Sequence, residues 1–207
     1  MIGLLTSVSG VTALLYGGWF CFRDPSLLRS AIKTGAIGAL AVLASSHGAP
    51  VLLVCALALS AVGDLALSRS GERAFLIGLC SFALAHVAYI ALFAGLGSGL
   101  PPLLPVIGLI LYAIASEIWL APHTGNMKWP VRVYVVLITL MGLAALTLPG
   151  GLNVALIGAG AFIASDTLLA VQLFRLDPAS PLHRFISPAL WVLYYGAQGL
   201  ILWAVLG

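Results

Sequence analysis

Eight long apolar stretches fill the sequence, each ended by proline, glycine or charge. The breaks fall at residues 23–25, 45–50, 68–73, 97–102, 122–130, 148–153 and 175–184. They leave segments at about 2–22, 28–45, 51–68, 73–96, 103–121, 130–148, 152–174 and 186–206. A hydrocarbon core of about 30 Å takes roughly 20 helical residues, so each segment has about the length of a span. Only 7% of the 207 residues are charged against 62% hydrophobic, too little charge to cover a water-soluble surface. No segment alternates apolar and polar with period two, which excludes a β-barrel. The sequence predicts an all-α, polytopic integral membrane protein, one transmembrane domain over residues 1–207 with eight helices. The first apolar run has no basic residue ahead of it and is expected to be a helix of the mature protein, not a cleaved leader.

The charges are one-sided. Arg23 and Arg29 lie at the first connection with Lys33 just inside the second helix, Arg69 and Arg73 at the third, Lys128 and Arg132 at the fifth, and Arg175 and Arg184 at the seventh. Together they are all 9 Lys and Arg of the chain. The positive-inside rule then places these breaks in the cytoplasm and both termini outside. Basic residues scattered over short loops form no basic face, so no nucleic-acid partner is expected. Cys21, Cys55 and Cys80 lack metal-ligand spacing and read as packing residues; neither metal nor other cofactor is expected.

An ionisable group inside the bilayer is costly unless it faces a packed or watery interior, so such a residue is a functional candidate. Asp64 lies roughly 7 Å and Asp166 roughly 13 Å inside the nearest basic residue, at 1.5 Å per helical residue. His86, Tyr194, Tyr195 and Gln198 fall near mid-depth, whereas Lys33 and Glu117 lie about one turn inside their helices. The polar residues thus favour the cytoplasmic half, which predicts a cavity opening inward. Ser60, Asp64 and Ser68 share one helix face, as do His86 and Tyr89. The structural readings are an inner-end carboxylate at Asp64, a helix–helix hydrogen bond at His86, and structural or orienting roles for Lys33 and Glu117. Gly35, Gly38, Gly158, Gly160, Gly196 and Gly199 read as close-packing positions. Asp64 and Asp166 lie in the third and seventh segments, about half the chain apart, each after a small residue. That correspondence would fit a parallel four-plus-four repeat.

LSAVGDLAL (59–67), FLIGLCSFALAHVAYIALF (75–93), MKWPVRVY (127–134), GAGAFIASDTLLA (158–170) and LYYGAQGLI (193–201) carry a resemblance. Gly-Asp, then a helix with His-x-x-Tyr, then Ser-Asp, then Tyr-Tyr-x-x-Gln, in this order, resembles the bacterial YhhN proteins and their animal relatives, the lysoplasmalogenases. The resemblance implies eight spans in a bacterial inner membrane and hydrolysis of the vinyl ether of lysoplasmalogens, giving a fatty aldehyde and a glycerophospho-base. It implies Asp64 and Asp166 as the catalytic carboxyls, supported by His86, Tyr89, Tyr134, Tyr194, Tyr195 and Gln198. Lys33 matches a family lysine, although Thr34 stands where a proline usually follows.

The chemistry suits two carboxyls. Protonating the β-carbon of a vinyl ether gives an oxocarbenium ion, which needs a nearby carboxylate and then water, as in glycosidases. Asp166, the deeper, is expected as the acid and Asp64 as stabiliser and base. Lys33, Arg69 and Arg73 are expected at the phosphate of the lysophospholipid. The competing classes are a proton-coupled transporter using Asp64, Asp166 and His86, and a lipid-binding membrane protein. A transporter predicts polar residues in the outer half and broken helices, which the sequence lacks.

Overall fold

A computed structural model describes residues 2–207. The described residues form eight α-helices and no strand. These are α1 (Ile2–Gly18), α2 (Leu27–Ser46), α3 (Val51–Leu67), α4 (Glu72–Leu96), α5 (Leu103–Trp119), α6 (Lys128–Ala145), α7 (Asn153–Phe174) and α8 (His183–Leu206). The breaks end the helices by local chemistry. Ser26 caps α2 by accepting the Arg29 amide at 3.1 Å, and Pro50 and Pro102 stand just before α3 and α5. Gly71 enters α4 at φ 103, a backbone angle that side chains disfavour.

Helical stretches at 7 places are long and apolar enough to cross a membrane. The eighth, α3, has 17 residues. At 1.5 Å per residue it covers about 26 Å, slightly less than the hydrocarbon core. An all-helical integral membrane protein is therefore what the chain forms.

Six helices close a ring through successive contacts: α2, α3, α4, α6, α7, α8 and back to α2. Helix α1 packs outside it against α2 and α8, and α5 packs outside it against α6. Helix α5 buries none of its residues and presents Leu104, Leu111 and Ile118 outward, as a lipid-facing helix would. The ring interior holds large buried side chains, including Leu57, Tyr89, Phe93, Met141, Phe162 and Ile201.

Glycine sets two of the close approaches. A Cβ on Gly63 would lie 2.6 Å from the Phe82 ring, so α3 and α4 meet beside Asp64 only because that position is bare. A Cβ on Gly158 would lie 2.8 Å from Ile201 and 3.0 Å from the Ala197 carbonyl, which fixes α7 against α8. The other expected packing glycines differ. Gly35 has its nearest neighbour at 4.0 Å, and Gly38, Gly160, Gly196 and Gly199 have none within 4 Å. All five lie on half-buried or exposed helix faces, and only Gly35 meets another helix, at Thr12 of α1.

Candidate active site

Each of the six ring helices sends one polar side chain to the same place. Lys33 comes from α2, Asp64 from α3, His86 from α4, Tyr134 from α6, Asp166 from α7 and Tyr194 from α8. Lys33 Nζ lies 2.9 Å from Asp64 Oδ1, and Tyr194 donates to Asp64 Oδ2 at 2.8 Å. Tyr134 donates to Asp166 Oδ2 at 2.5 Å, and His86 Nε2 lies 3.4 Å from that same oxygen. Each aspartate is thus held by the ring helix preceding its own and by one from the other half of the chain.

The two environments are not equivalent. Asp64 is only 1% exposed, with both oxygens engaged and an ammonium as counter-charge. Asp166 is 11% exposed, and its Oδ1 has no protein partner among the described residues. Depth along the helix and burial in protein are separate here: Asp166 lies further from the basic helix ends, yet Asp64 is the less exposed of the two. Asp64 sits at the glycine-tight α3–α4 contact, whereas Asp166 stands on a wall between two cavities.

The larger cavity has a volume of about 740 Å³ and is lined by both aspartates. It runs to the surface between the α1–α2 and α7–α8 connections, where Pro25 and Pro178 line it. Both are basic breaks of the sequence. Tyr16, Arg29, Gln172, His183, Ser187 and Trp191 line its outer part. The smaller is an apolar crevice of about 50 Å³ between α4, α6 and α7, with Phe75, Leu79 and Ile138 in its walls. Asp166, Leu169 and Leu173 line both. A carboxyl oxygen therefore stands where a polar-mouthed chamber meets an apolar one.

The remaining expected residues distribute unevenly. Tyr89 donates to Gln198 Oε1, tying α4 to α8, and neither touches an aspartate. Both are fully buried, so this hydrogen bond joins two helices inside the protein. Tyr195 points away from the site and shares a hydrogen bond of 2.8 Å with Ser9 on α1. Its neighbour Tyr194, one residue round the helix, holds Asp64. Glu117 pairs with Arg132 on the α5–α6 face, with Arg132 Nε donating to Oε2 at 2.9 Å.

Two expectations for the head group change. Lys33 is engaged with Asp64 inside the ring instead of standing free for a phosphate. Arg69 and Arg73 are exposed and line neither cavity, although Leu67 and Ser68 just before them line the larger one. The basic side chain at the mouth is Arg29, whose signal in the sequence was its position one turn before Lys33 on the same face of α2. Tyr16 escapes a sequence reading because an aromatic near a helix end usually belongs to the interface belt. Among the described residues, no group of three or more His, Cys, Asp or Glu could hold a metal ion.

The order Gly-Asp, His-x-x-Tyr, Ser-Asp and Tyr-Tyr-x-x-Gln thus traces helices of one ring. The family model described as the YhhN family matches residues 28–205. The chain belongs to the YhhN family. The match begins with α2 and ends within α8, so all six ring helices lie in the YhhN region. No curated protein and no solved structure matches the chain.

Proposed function

We propose that this YhhN protein is an intramembrane hydrolase that cleaves the vinyl ether of lysoplasmalogens by two-aspartate acid–base catalysis. The observation that carries the reading is the inequivalence of two carboxyls in one cavity: Asp64 has an ammonium partner and Asp166 an unpartnered oxygen. A reaction through an oxocarbenium ion needs such a pair, one carboxyl to give a proton and one carboxylate to face the cation.

In the proposed cycle Asp166 starts protonated and Asp64 ionised beside Lys33. Asp166 gives its proton to the β-carbon of the vinyl ether, the C=C π pair forms the new C–H bond, and the α-carbon becomes oxocarbenium. Water attacks that carbon while Asp64 takes the water proton, giving a hemiacetal. Asp166 then removes the hemiacetal hydroxyl proton as Asp64 protonates the departing glycerol oxygen. The C–O bond breaks, aldehyde and glycerophospho-base leave, and both carboxyls return to their starting states. Tyr134 and Tyr194 hold the carboxyl orientations, and His86 stands beside the acid. The vinyl ether would lie at Asp166 with the rest of the lipid in the larger cavity, since the apolar crevice is too small for an alkenyl chain.

The same reading places the basic breaks at the cytoplasmic face of a bacterial inner membrane, with both termini outside. The arrangement of each aspartate between its own half and the other supports a four-plus-four repeat within one transmembrane domain. The deciding experiment is fatty aldehyde release by the purified protein in detergent from a lysoplasmalogen. Release that depends on Asp166 supports the reading; none across ethanolamine and choline substrates overturns it.

A further inference from the structure

We infer that Arg29, with Ser187 across the mouth, forms a subsite for the phosphate of a lysophospholipid head group. The inference rests on the proposed function for the identity of the lipid and on geometry for the anion. Arg29 Nε donates to the Phe20 carbonyl at 2.9 Å, and Nη2 donates to the Tyr16 hydroxyl at 3.2 Å. The guanidinium carbon lies 5.6 Å from the Tyr16 ring centroid, and that ring packs on Trp191 with centroids 4.4 Å apart. One edge of the fork is therefore fixed to the protein, and the remaining N–H groups stay available at the cavity wall.

No carboxylate pairs with Arg29 among the described residues. The other fixed cation of the cavity, Lys33, is taken by Asp64. Arg29 thus leaves one positive charge uncompensated at the mouth, on the path from the surface to the aspartates. On the α8 side Gln172 Nε2 donates to Ser187 Oγ at 2.9 Å and lies 3.1 Å from His183 Nδ1. Accepting that bond leaves the Ser187 hydroxyl proton free to donate. His183 is committed at both ring nitrogens, since Nε2 lies 3.0 Å from the Asp177 carbonyl. A preoriented guanidinium and a hydroxyl donor that line the same cavity suit the tetrahedral oxygens of a phosphodiester. Deeper in the cavity the other lining cation, Lys33, is already paired with Asp64, which leaves the inner cavity to the uncharged part of the lipid.

The test is equilibrium binding by calorimetry with the full chain in an uncharged detergent, which requires no turnover. The probes are a saturated 1-alkyl lysophosphoethanolamine, the matching 1-alkylglycerol, and inorganic phosphate. Wild type should bind the phospholipid at least about tenfold more tightly than the alkylglycerol. Arg29→Gln should erase that preference, Arg29→Lys should keep part of it, and Ser187→Ala should reduce it. Arg29→Lys and Ser187→Ala also carry the test should Arg29→Gln fail to fold. An undiminished preference in the Arg29 variants overturns the subsite. Inorganic phosphate binding that needs Arg29, with equal affinity for the two lipids, overturns the lipid assignment in favour of a free anion. Because the probes are not cleaved, a failure of vinyl ether hydrolysis and a failure of this subsite register separately.

Discussion

Lys33 and Asp64 close an ion pair at 2.9 Å inside the helix ring, and Asp166 has no lysine or arginine at that range. The pair is 12% and 1% exposed, so removing one member leaves the other charged and uncompensated in a poorly solvated place. Breaking such a pair costs about 3–5 kcal/mol, whereas removing both partners costs far less. Lys33→Met should therefore lower the melting temperature in detergent markedly. Adding Asp64→Leu should restore most of the stability and none of the activity. An unchanged melting temperature for Lys33→Met would mean that the pair carries no stability.

The neighbouring tyrosines of α8 separate a site role from a packing role. Tyr194 bonds to Asp64 and Tyr195 to Ser9. Tyr194→Phe keeps the ring that packs on Phe82 and Phe162 and removes only the hydroxyl. It should lower kcat by about tenfold or more, in line with the loss of a group that orients a catalytic carboxyl. Tyr195→Phe should stay within about twofold of wild type in kcat and lose some stability, about 1 kcal/mol for a buried hydrogen bond. The reverse ranking in steady-state kinetics would show that the wrong tyrosine has been placed in the site.

The all-helical membrane class was legible because hydropathy and break chemistry act locally, within each segment. Both aspartates were legible because a carboxyl in an apolar run has few innocent explanations. The partners were less so. Tyr194 and Tyr195 are adjacent in sequence, and only the rotation of α8 against α2 and α3 decides which faces Asp64. Lys33 looked available to a phosphate because its distance from water was visible, but its distance from Asp64 on the next helix was not. That Arg69 and Arg73 line no cavity has a related reason. Charge near a helix end signals the membrane face, while access to a cavity depends on which two connections frame its mouth.

The two placements of the head group can be told apart by kinetics. Neutralising Arg69 and Arg73 together should change KM for the lysophospholipid by less than about twofold, because exposed and screened charges outside the cavity contribute little to binding. Arg29→Gln should raise KM much more than it lowers kcat, since the phosphate is bound alike in ground and transition states. A larger KM effect from the Arg69/Arg73 double variant would move the head group to the α3–α4 turn.

Topology follows from the loop charges. Reporter fusions at the C-terminus should read as external and fusions inserted at Gly71 as cytoplasmic. With 17 residues, α3 should cross where the bilayer is locally thinned or with its ends shielded by α2 and α4. A C-terminus that reports cytoplasmic would mean that one helix does not cross.

If Asp64 and Asp166 act as one unit, their variants cannot behave independently. Asp64→Asn and Asp166→Asn keep the side-chain shape and remove, respectively, the carboxylate that faces the cation and the proton donor. Each should lower kcat by at least about a thousandfold, because both chemical steps pass through the pair. The double variant should be hardly slower than either single one, as residues that serve the same transition state are grossly non-additive. Wild-type kcat should rise and then fall with pH. The acid limb reports protonation of the carboxylate that must receive the water proton, and the alkaline limb reports loss of the proton that must go to carbon. Both apparent values belong to the coupled pair and not to either residue. Asp166→Asn leaves only one carboxyl of the pair, so whatever activity remains should lose the bell-shaped profile. Residual turnover with an intact bell-shaped profile in that variant, measured by aldehyde release, would place the proton donor elsewhere. Substantial turnover in both single variants would return the aspartates to a purely structural role.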